Sequence, residues 1–326
     1  MTTNWQPTAS IETLRQRARL LAKARAFFHA RDVLEVETPV LGRGGSTDVH
    51  LVSLSTQART ERGQRRLWLQ TSPEFHMKRL LAAGSGPIFQ LARSFRDGEV
   101  GARHNIEFTM LEWYRPGFDL DALIEETTQL VTALLPRAPG PVVRHRYREL
   151  FHTHLHIDPF NASLDGLRAL AAERGQMPLS TLEVESRETC LDLLMSLVIE
   201  PQLGQGELSV VVDYPARQAA LARRHLDGEG DWVASRFELY VDGIELANGY
   251  HELTDAREQR ERFDEDNEER RRLGLSEVDA DQALIAALEH GMPEGAGVAL
   301  GMDRLIQLAL GKARLEEVLA FATPHC

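Results

Sequence analysis

The fold is decided by the central stretch of the chain, residues 89–114, which reads FQLARSFRDGEVGARHNIEFTMLEWY. Apolar runs at 88–95 and 106–114 flank a polar, glycine-containing segment. Such runs bounded by turn residues are typical of strands, so the stretch predicts a strand, a loop and a second strand. Successive side chains of a strand point to opposite faces. One face of the first strand therefore carries Gln90, Ala92, Ser94 and Arg96, and one face of the second carries Phe108, Met110, Glu112 and Tyr114.

This hairpin carries the side chains of a ligand-binding floor. The guanidinium of Arg96 suits phosphate oxygens, and the ring of Phe108 suits a nucleotide base. Glu112 and Tyr114 offer a carboxylate and a phenol to a polar substrate. A plain hairpin with an exposed arginine is the structural alternative. The density of ionisable groups beside aromatic rings favours the binding site.

The last strand and helix of the chain supply a second basic group. A glycine-rich strand at 295–301 runs into a helix at 302–310 that is apolar nearly all round, which predicts that this helix is buried. Arg304 lies in the first turn, where the helix dipole is already positive, so an anion is expected to bind both. The alternative is an ion pair between Arg304 and a carboxylate such as Asp303.

Two acids near residue 250 form a third and weaker signal. Glu245 and Glu252 lie on either side of Asn248-Gly249, a pair that on its own predicts a hairpin turn. They could converge on a metal ion or on an ammonium group. Together the three segments describe a nucleotide polyphosphate held by two arginines on an antiparallel floor, with acids available for Mg²⁺, which prefers oxygen ligands.

The distribution of strands along the chain predicts the fold class. Strands cluster at 50–70, 88–114, 208–249 and 295–301, with helices between the clusters. This order differs from a regular βα alternation and predicts an α+β fold, an antiparallel sheet flanked by helices.

Two further elements are predicted in the first seventy residues. A helix over 11–31 begins at Ser10, which suits an N-cap. Strand-like stretches at 50–55 and 66–70 enclose a small basic loop. We interpret the loop as a solvated hairpin tip; its basic residues are Arg59, Arg62, Arg65 and Arg66.

Composition narrows the class of protein. The chain has 326 residues, a net charge of −12 and 43% hydrophobic residues, which is too apolar for disorder. No apolar run approaches the ~18 residues of a membrane span, and the N-terminus lacks the pattern of a secretory signal. With only Cys190 and Cys326, neither a disulfide framework nor a cysteine-rich zinc site can be built. We therefore expect a protein of a reducing compartment, cytoplasmic and without affinity for membranes, and the acidic balance argues against a general nucleic-acid binder.

Three stretches of the chain, taken in order, resemble the three sequence motifs of the catalytic domain of class II aminoacyl-tRNA synthetases. Residues 11–39 resemble motif 1, the dimer element, residues 96–108 resemble motif 2, and residues 297–304 resemble motif 3. The strings TSPEFHMKRL at 71–80 and HNIEFTMLEWY at 104–114 are similar to the lysyl branch of that class.

The resemblance implies a domain organisation and an activity. We expect a tail over 1–10 and one catalytic domain over 11–326, without an anticodon-binding domain. This short form resembles the family of synthetase-like ligases that use ATP and Mg²⁺ to join (R)-β-lysine to a lysine of elongation factor P. Ala299 agrees, since the lysyl-tRNA synthetases have glycine at the matching position. A homodimer through 11–39 and independence from tRNA are further implications.

The resemblance also assigns roles to individual residues. Arg96 and Arg304 are the expected catalytic residues, on the α- and γ-phosphates, and Phe108 is expected to stack on adenine. ATP binding is assigned to Arg96, Asp97, Gly98, Asn105, Phe108, Glu245, Leu246, Gly301 and Arg304. Substrate binding is assigned to Ser72, Pro73, Glu74, Tyr114, Glu252 and Ala299. Glu245 is the candidate ligand of Mg²⁺.

One departure from the family pattern leaves alternatives open. The second residue after the motif 2 arginine is usually Glu, but here it is Gly98, with Glu99 beside it. Either Glu99 takes over that contact or the contact is lost; Ile106 also stands where the family often has Pro. The alternative functions are a related enzyme that activates α-lysine or another amino acid, an amidating enzyme of the asparagine synthetase kind, and a non-catalytic regulatory paralogue.

Overall fold

A computed structural model describes residues 5–61, 63–137, 139–182 and 185–323 of the chain. Arg62 of the basic loop, the start of the predicted tail (residues 1–4) and the end of the predicted domain (residues 324–326, with Cys326) lie outside the described residues. The chain divides into two compact units, each described below by itself. Unit 1 comprises Met1–Asp119, Gln129–Pro136 and Leu253–Cys326, and unit 2 comprises Leu120–Thr128 and Arg137–Glu252. The single catalytic domain over 11–326 stays a prediction.

Helices and strands are both abundant, as an α+β fold requires. The α-helices are α1 (Ile11–His29), α2 (Glu74–Ala82), α3 (Leu120–Leu134), α4 (Tyr147–Leu155), α5 (Leu164–Gly175), α6 (Arg187–Leu194), α7 (Ala256–Arg272), α8 (Gln282–Gly291) and α9 (Met302–Ala309). The strands are β1 (Leu34–Glu35), β2 (Leu41–Gly42), β3 (Ser55–Thr60), β4 (Gly63–Leu69), β5 (Ile88–Phe95), β6 (Glu107–Pro116), β7 (Val142–Arg146), β8 (Leu208–Pro215), β9 (Arg224–Leu226), β10 (Trp232–Val241), β11 (Ile244–His251) and β12 (Gly295–Gly301). Among the described residues, no helix combines the length and apolarity needed to cross a membrane.

The main sheet of unit 1 has the strand order β1-β5-β6-β12. β5 pairs antiparallel with β6, β6 pairs antiparallel with β12, and the short β1 pairs parallel with β5. A smaller antiparallel sheet has the order β2-β4-β3. The predicted strands 88–95 and 295–301 are confirmed at both ends, and the predicted strand 106–114 is found at Glu107–Pro116.

An aromatic cluster fixes α1 on the sheet of unit 1. The Phe28 ring stacks on Phe89 with 4.6 Å between centroids and lies 5.1 Å from the Trp113 ring. All three side chains are fully buried. Ser10 caps α1 as predicted, since its hydroxyl accepts the amide hydrogen of Thr13 at 3.1 Å. Burying three aromatic side chains supplies several kcal/mol to the folding of this region.

Unit 2 has the strand order β7-β8-β10-β11, with β9 paired to one end of β10. A buried carboxylate, Glu238 on β10, ties its sheet together. It accepts hydrogen bonds from the hydroxyls of Tyr214 and Tyr240 and from the guanidinium of Arg236. Burial, followed by the charge of Glu238, raises the pKa of both tyrosines well above 10, so both hydroxyls keep the protons that they donate.

The long charged helix α7 contacts a loop of unit 1 through an acid. Asp266 accepts a hydrogen bond from the Thr47 hydroxyl at 2.6 Å, and Thr47 is 2% exposed. Burial raises the pKa of Asp266 from 3.8 to about 6, and the charges of Asp48 and Glu265 act in the same direction. The Thr47 hydrogen bond and Arg262 oppose the shift but do not cancel it.

We expect Asp266→Asn to raise the free energy of unfolding at pH 7.5 by about 1–3 kcal/mol and to change it little at about pH 3.5. Because the pKa is raised in the folded state, the protonated acid stabilises the fold fully below about pH 4, and this stabilisation is lost as the pH rises through 6. Asparagine keeps an acceptor for Thr47 and never ionises. Urea unfolding at both pH values tests this, with Asp264→Asn, an exposed neighbour, as the control. An equal effect of Asp266→Asn at both pH values contradicts the assignment.

Candidate active site

Three adjacent strands of unit 1 form the floor of the candidate site. Gln90 on β5 lies directly opposite Glu112 on β6, which lies opposite Ala299 on β12. Directly opposed residues share a face of the sheet. The neighbouring rows on the same face are Ile88, Tyr114 and Gly297, and Ala92, Met110 and Gly301. The predicted common face of the two central strands is therefore confirmed, and β12 extends it.

A buried carboxylate lies at the centre of this floor. Glu112 is 1% exposed, and each of its carboxylate oxygens accepts a hydroxyl hydrogen at 2.6 Å, one from Tyr114 and one from Ser72. The Ser72 oxygen also accepts the backbone N–H of Glu74 at 3.1 Å, which fixes the turn at the buried Pro73 that leads into α2. Three residues assigned to the substrate, Ser72, Glu74 and Tyr114, are thus held beside Glu112, an acid outside that assignment.

A second acid, Glu74 at the start of α2, is paired with a buried lysine. The Lys78 ammonium lies 2.7 Å from a carboxylate oxygen of Glu74, one helical turn away on α2. The Lys78 side chain is 1% exposed and that of Glu74 is 15% exposed. A buried ammonium is stable only when paired, so this contact fixes the side chain of Glu74.

Arg96 lies at the end of β5 above an aromatic ring. Its guanidinium carbon is 5.1 Å from the centroid of Phe108, a cation–π distance. Its Nη1 lies 3.4 Å from a carboxylate oxygen of Glu99. Gly98 has φ +77°, a left-handed conformation that places Glu99 beside the arginine, and the Gly98 amide donates to the Asp97 side chain at 3.0 Å. Glu99 thus lies beside Arg96, and the two alternatives for the Gly98 departure stay predictions.

Arg304 lies in the first turn of α9 and extends to the loop that follows Arg96. Its Nη2 lies 2.7 Å from Nε2 of His104, and its Nε donates to the Arg103 carbonyl at 3.4 Å. Burial, and then the charge of Arg304, lower the pKa of His104 below 6.5, so a neutral imidazole accepts the hydrogen bond. A Cβ added at Gly301 would meet the Arg304 side chain at an ordinary 3.6 Å, so a close approach of nucleotide to Gly301 stays a prediction.

The acid before Arg304 has a different partner. Asp303 is 2% exposed, lies 2.5 Å from the Arg17 guanidinium and accepts the backbone N–H of Thr109 at 2.7 Å. Arg17 also donates to the Thr109 hydroxyl at 2.9 Å. The alternative in which Asp303 pairs with Arg304 is therefore wrong.

The side chain of Asn105 is occupied by contacts within the chain. Its amide nitrogen donates to the Glu107 carbonyl at 2.6 Å, and its oxygen accepts the Thr323 amide hydrogen at 3.0 Å. The residue is 7% exposed and holds the end of the loop between β5 and β6. The ATP contact assigned to Asn105 stays a prediction.

Glu245, Leu246 and Glu252 belong to unit 2, where a β-bulge sets their directions. Tyr240 lies opposite Glu245 while the preceding residue of β10, Leu239, lies opposite Ala247, so Leu246 is the extra residue. Residues 245 and 248 would face opposite ways in a regular strand, and the bulge brings Glu245 into phase with Asn248. Glu252, at the end of this segment, is 2% exposed.

The predicted turn at Asn248-Gly249 is wrong. Both residues lie inside β11, opposite Glu238 and Phe237, and the hairpin turns at Asp242-Gly243, where both residues have positive φ. A Cβ at Gly249 would lie 2.3 Å from the Phe237 ring, so this glycine makes room for a ring and does not form a turn.

The oxygen donors of β11 fit a hard cation that also has phosphate ligands. Within the described ranges, no group of three or more His, Cys, Asp or Glu residues could hold a metal ion by itself. Mg²⁺ in nucleotide sites usually has one or two carboxylates and completes its shell with phosphates and water. Glu245 is half-buried and shares a strand face with Asn248. The side-chain amide oxygen of Asn248 is buried and makes no hydrogen bond to any described residue. Those two oxygens suit that requirement.

Three side chains of interest are absent from the site residues assigned by resemblance. Glu112 shares a strand face with Tyr114, so period-two alternation was a usable signal. Lys78 follows Glu74 by four residues, which is ion-pair spacing on a helix. The buried side-chain oxygen of Asn248 had no signal in the sequence, because Asn-Gly predicts a turn.

Comparisons with known proteins agree with this geometry. Residues 4–325 match the family of class II tRNA synthetases (D, K and N). The chain is 51% identical over 319 residues to the elongation factor P–(R)-β-lysine ligase of Pseudoalteromonas translucida (strain TAC 125), with 97% of each chain covered. It is 49% identical over 327 residues to the ligase of the same name from Erwinia tasmaniensis, covering 100% of this chain and 99% of the relative. The corresponding ligase of Pasteurella multocida (strain Pm70) is 48% identical over 320 residues, covering 98% and 97%.

We expect Asp303→Ala to lower the free energy of unfolding by about 3–5 kcal/mol, because it leaves the Arg17 guanidinium buried without its partner. Urea unfolding measures the change. The double variant Arg17→Met/Asp303→Leu removes both charges, and we expect it to recover more than half of the loss. Wild-type stability of Asp303→Ala would show that the buried pair does not hold α9 in place.

Proposed function

The chain belongs to the class II tRNA synthetases of the D, K and N group, and from this premise we propose that it activates (R)-β-lysine with ATP and joins it to a lysine of elongation factor P. The relatives named above, similar over almost their full lengths, support the substrate and the acceptor. The observation that carries the proposal is the buried Glu112, which accepts hydrogen bonds from Ser72 and Tyr114. Glu112 lies opposite Ala299 and on the same sheet face as Phe108.

The first step is displacement at phosphorus. The carboxylate of the amino acid attacks the α-phosphorus of ATP, the bond to the β-phosphate oxygen breaks, and pyrophosphate leaves. Arg96, fixed at the end of β5, stabilises the charge that develops on the α-phosphate. Arg304 binds the γ-phosphate, Phe108 stacks on adenine, and Gly301 lets the nucleotide approach the backbone. The loop residues Asp97, Gly98 and Asn105 complete the nucleotide site.

Mg²⁺ fits the same proposal. When bound, it neutralises phosphate charge, and Glu245 is the residue that would hold it, next to the bulged Leu246. The side-chain amide oxygen of Asn248, on the same strand face, is a second oxygen ligand of the kind that Mg²⁺ prefers.

Acids and a methyl group select the amino acid. Carboxylates are the natural partners of a diamine, and Glu74, Glu112 and Glu252 supply them, with Ser72, Pro73 and Tyr114 shaping the pocket. Ala299 lies directly opposite Glu112, so its methyl group borders the acid that would hold the substrate. One methyl group in a pocket is worth about 1–3 kcal/mol, enough to separate a β- from an α-amino acid.

The second step transfers the activated acyl group. The ε-amine of the acceptor lysine attacks the carbonyl carbon of the adenylate, the bond to the phosphate oxygen breaks, AMP leaves, and the amine loses a proton as the amide forms. Neither step needs a covalent bond to the protein, because positioning and electrostatics suffice. The proposal includes a homodimer through 11–39, a cytoplasmic location and no use of tRNA.

ATP–pyrophosphate exchange tests the proposed function. We expect exchange with Mg²⁺ and (R)-β-lysine to exceed exchange with L-α-lysine by about tenfold or more. A reaction without amino acid is the control. A preference for L-α-lysine would indicate an α-lysine-activating paralogue, and no exchange with any amino acid would indicate a non-catalytic one.

We expect Arg304→Ala to abolish exchange, because the γ-phosphate loses a guanidinium at a helix N-terminus. Arg257→Ala is the matched control, since Arg257 is an exposed arginine of α7 that pairs with Glu261 at 2.9 Å. Near-normal ATP turnover by Arg304→Ala would contradict the phosphate assignment.

A further inference from the structure

We propose that the β3–β4 hairpin, residues 55–69, is a docking arm for the acceptor protein and that it binds acidic side chains close to the modified lysine. The inference rests on the proposed function and adds to it the surface that the acceptor contacts. The proposal adds a partner to the solvated hairpin tip expected from the sequence.

The charge of the hairpin is opposite to that of the chain. The chain carries a net charge of −12. The described residues of the hairpin include three exposed arginines, Arg59, Arg65 and Arg66, and one acid, Glu61. None of these arginines forms an ion pair with any residue that the structure describes.

Two exposed arginines of the long charged helix α7 have carboxylate partners. Arg257 pairs with Glu261 at 2.9 Å and Arg271 with Glu277 at 3.2 Å. In a chain with 49 acids and 37 basic residues, an arginine on the surface usually has an acid nearby. In the hairpin, the Arg66 guanidinium carbon lies 5.5 Å from the centroid of the Trp68 ring, and no described carboxylate neutralises its charge or that of Arg59 and Arg65, so this positive charge remains available to another molecule.

Strand pairing arranges the hairpin side chains as a donor surface. Arg59 lies opposite Gln64, and Arg66 lies opposite Gln57, so these four exposed side chains share one face. The two arginines are diagonal neighbours, typically about 7–8 Å apart at the backbone, with no acid between them. Two guanidinium groups at this spacing repel one another, and carboxylates that accept hydrogen bonds from both relieve the repulsion.

The root of the hairpin lies beside Arg96. The carbonyl of Gln70, which follows β4, accepts the amide hydrogen of Phe95, and the carbonyl of Val52, which precedes β3, accepts that of Asp97; both distances are 2.9 Å. The two chain segments that lead into the hairpin are therefore bonded to the residues on either side of Arg96. Ser72 follows Gln70 by two residues.

The length of the arm suits contact with the acceptor. Trp68, at its root, is 6% exposed, and the five steps from there to Gly63 extend about 17 Å at 3.3–3.4 Å per residue. When the acceptor lysine enters the site, the acceptor's surface around that lysine comes within a similar distance of the root of the arm. An acidic acceptor is repelled by most of this acidic chain, so a local basic arm beside the site sets where the acceptor lands and how it is oriented.

The same charges are a poor match for nucleic acid. A nucleic-acid site usually neutralises many phosphates, and its affinity grows with the number of basic contacts. The described arm has three arginines and one acid on a chain of net charge −12, which suits a small group of carboxylates better.

The test is the triple variant Arg59→Gln/Arg65→Gln/Arg66→Gln in the full chain. With elongation factor P as acceptor at low salt, we expect kcat/KM for the acceptor to fall about 10- to 100-fold, mainly through KM, and the deficit to shrink at high salt. ATP–pyrophosphate exchange with (R)-β-lysine should stay at the wild-type rate, because exchange does not use the acceptor. The matched control is Arg257→Gln/Arg271→Gln/Arg272→Gln, which removes three exposed arginines from α7.

Each other outcome overturns the docking arm in a recognisable way. Unchanged acceptor kinetics would show that the hairpin makes no contact, and an equal loss in the α7 control would show an effect of net charge alone. Loss of exchange in the hairpin variant would place the arginines in the nucleotide site. Unchanged acceptor kinetics with lost binding of a single-stranded RNA oligonucleotide would assign the arm to RNA. Absence of exchange in the wild-type protein would instead refute the proposed function.

Discussion

One buried carboxylate, Asp303, joins the three elements on which the floor of unit 1 depends. It binds the Arg17 guanidinium of α1 and the Thr109 backbone of β6, while its own position starts α9. Since a buried acid is costly without partners, these contacts form together or not at all. The next residue, Arg304, then has its direction fixed towards the loop after Arg96. The aromatic packing of Phe28 on Phe89 and Trp113 holds α1 against the same strands and supports the arrangement.

Much of the floor could be predicted because its information is local. A strand that alternates sides needs only a period of two, so the shared face of Gln90, Ser94, Glu112 and Tyr114 follows from residues 88–114 alone. The ends of β5 and β12 are marked by Gly, Pro and charged residues, and both were predicted to the residue. The Ser10 cap is likewise a property of one turn of helix. Elements whose cause lies within a few residues are accessible to this reasoning.

The features that escaped prediction have causes elsewhere in the chain. Gly249 fits beneath the ring of Phe237, twelve residues earlier, so the local turn preference of Asn-Gly was overridden by packing. The bulge at Leu246 depends on the partner strand and decides which way Glu245 faces. Asp303 chose a partner nearly three hundred residues away in place of its neighbour Arg304. In each case two distant segments had to be placed before the side chain could be assigned a role.

The buried pair of Glu74 and Lys78 has a consequence for how a cationic guest is recognised. The Glu74 carboxylate lies 2.7 Å from the Lys78 ammonium, and the Lys78 side chain is 1% exposed. A carboxylate bound in this way does not have to be ordered again when a guest ammonium approaches it, so little conformational entropy is lost on binding. Recognition at this place therefore depends on the rigidity of the acceptor as much as on its charge.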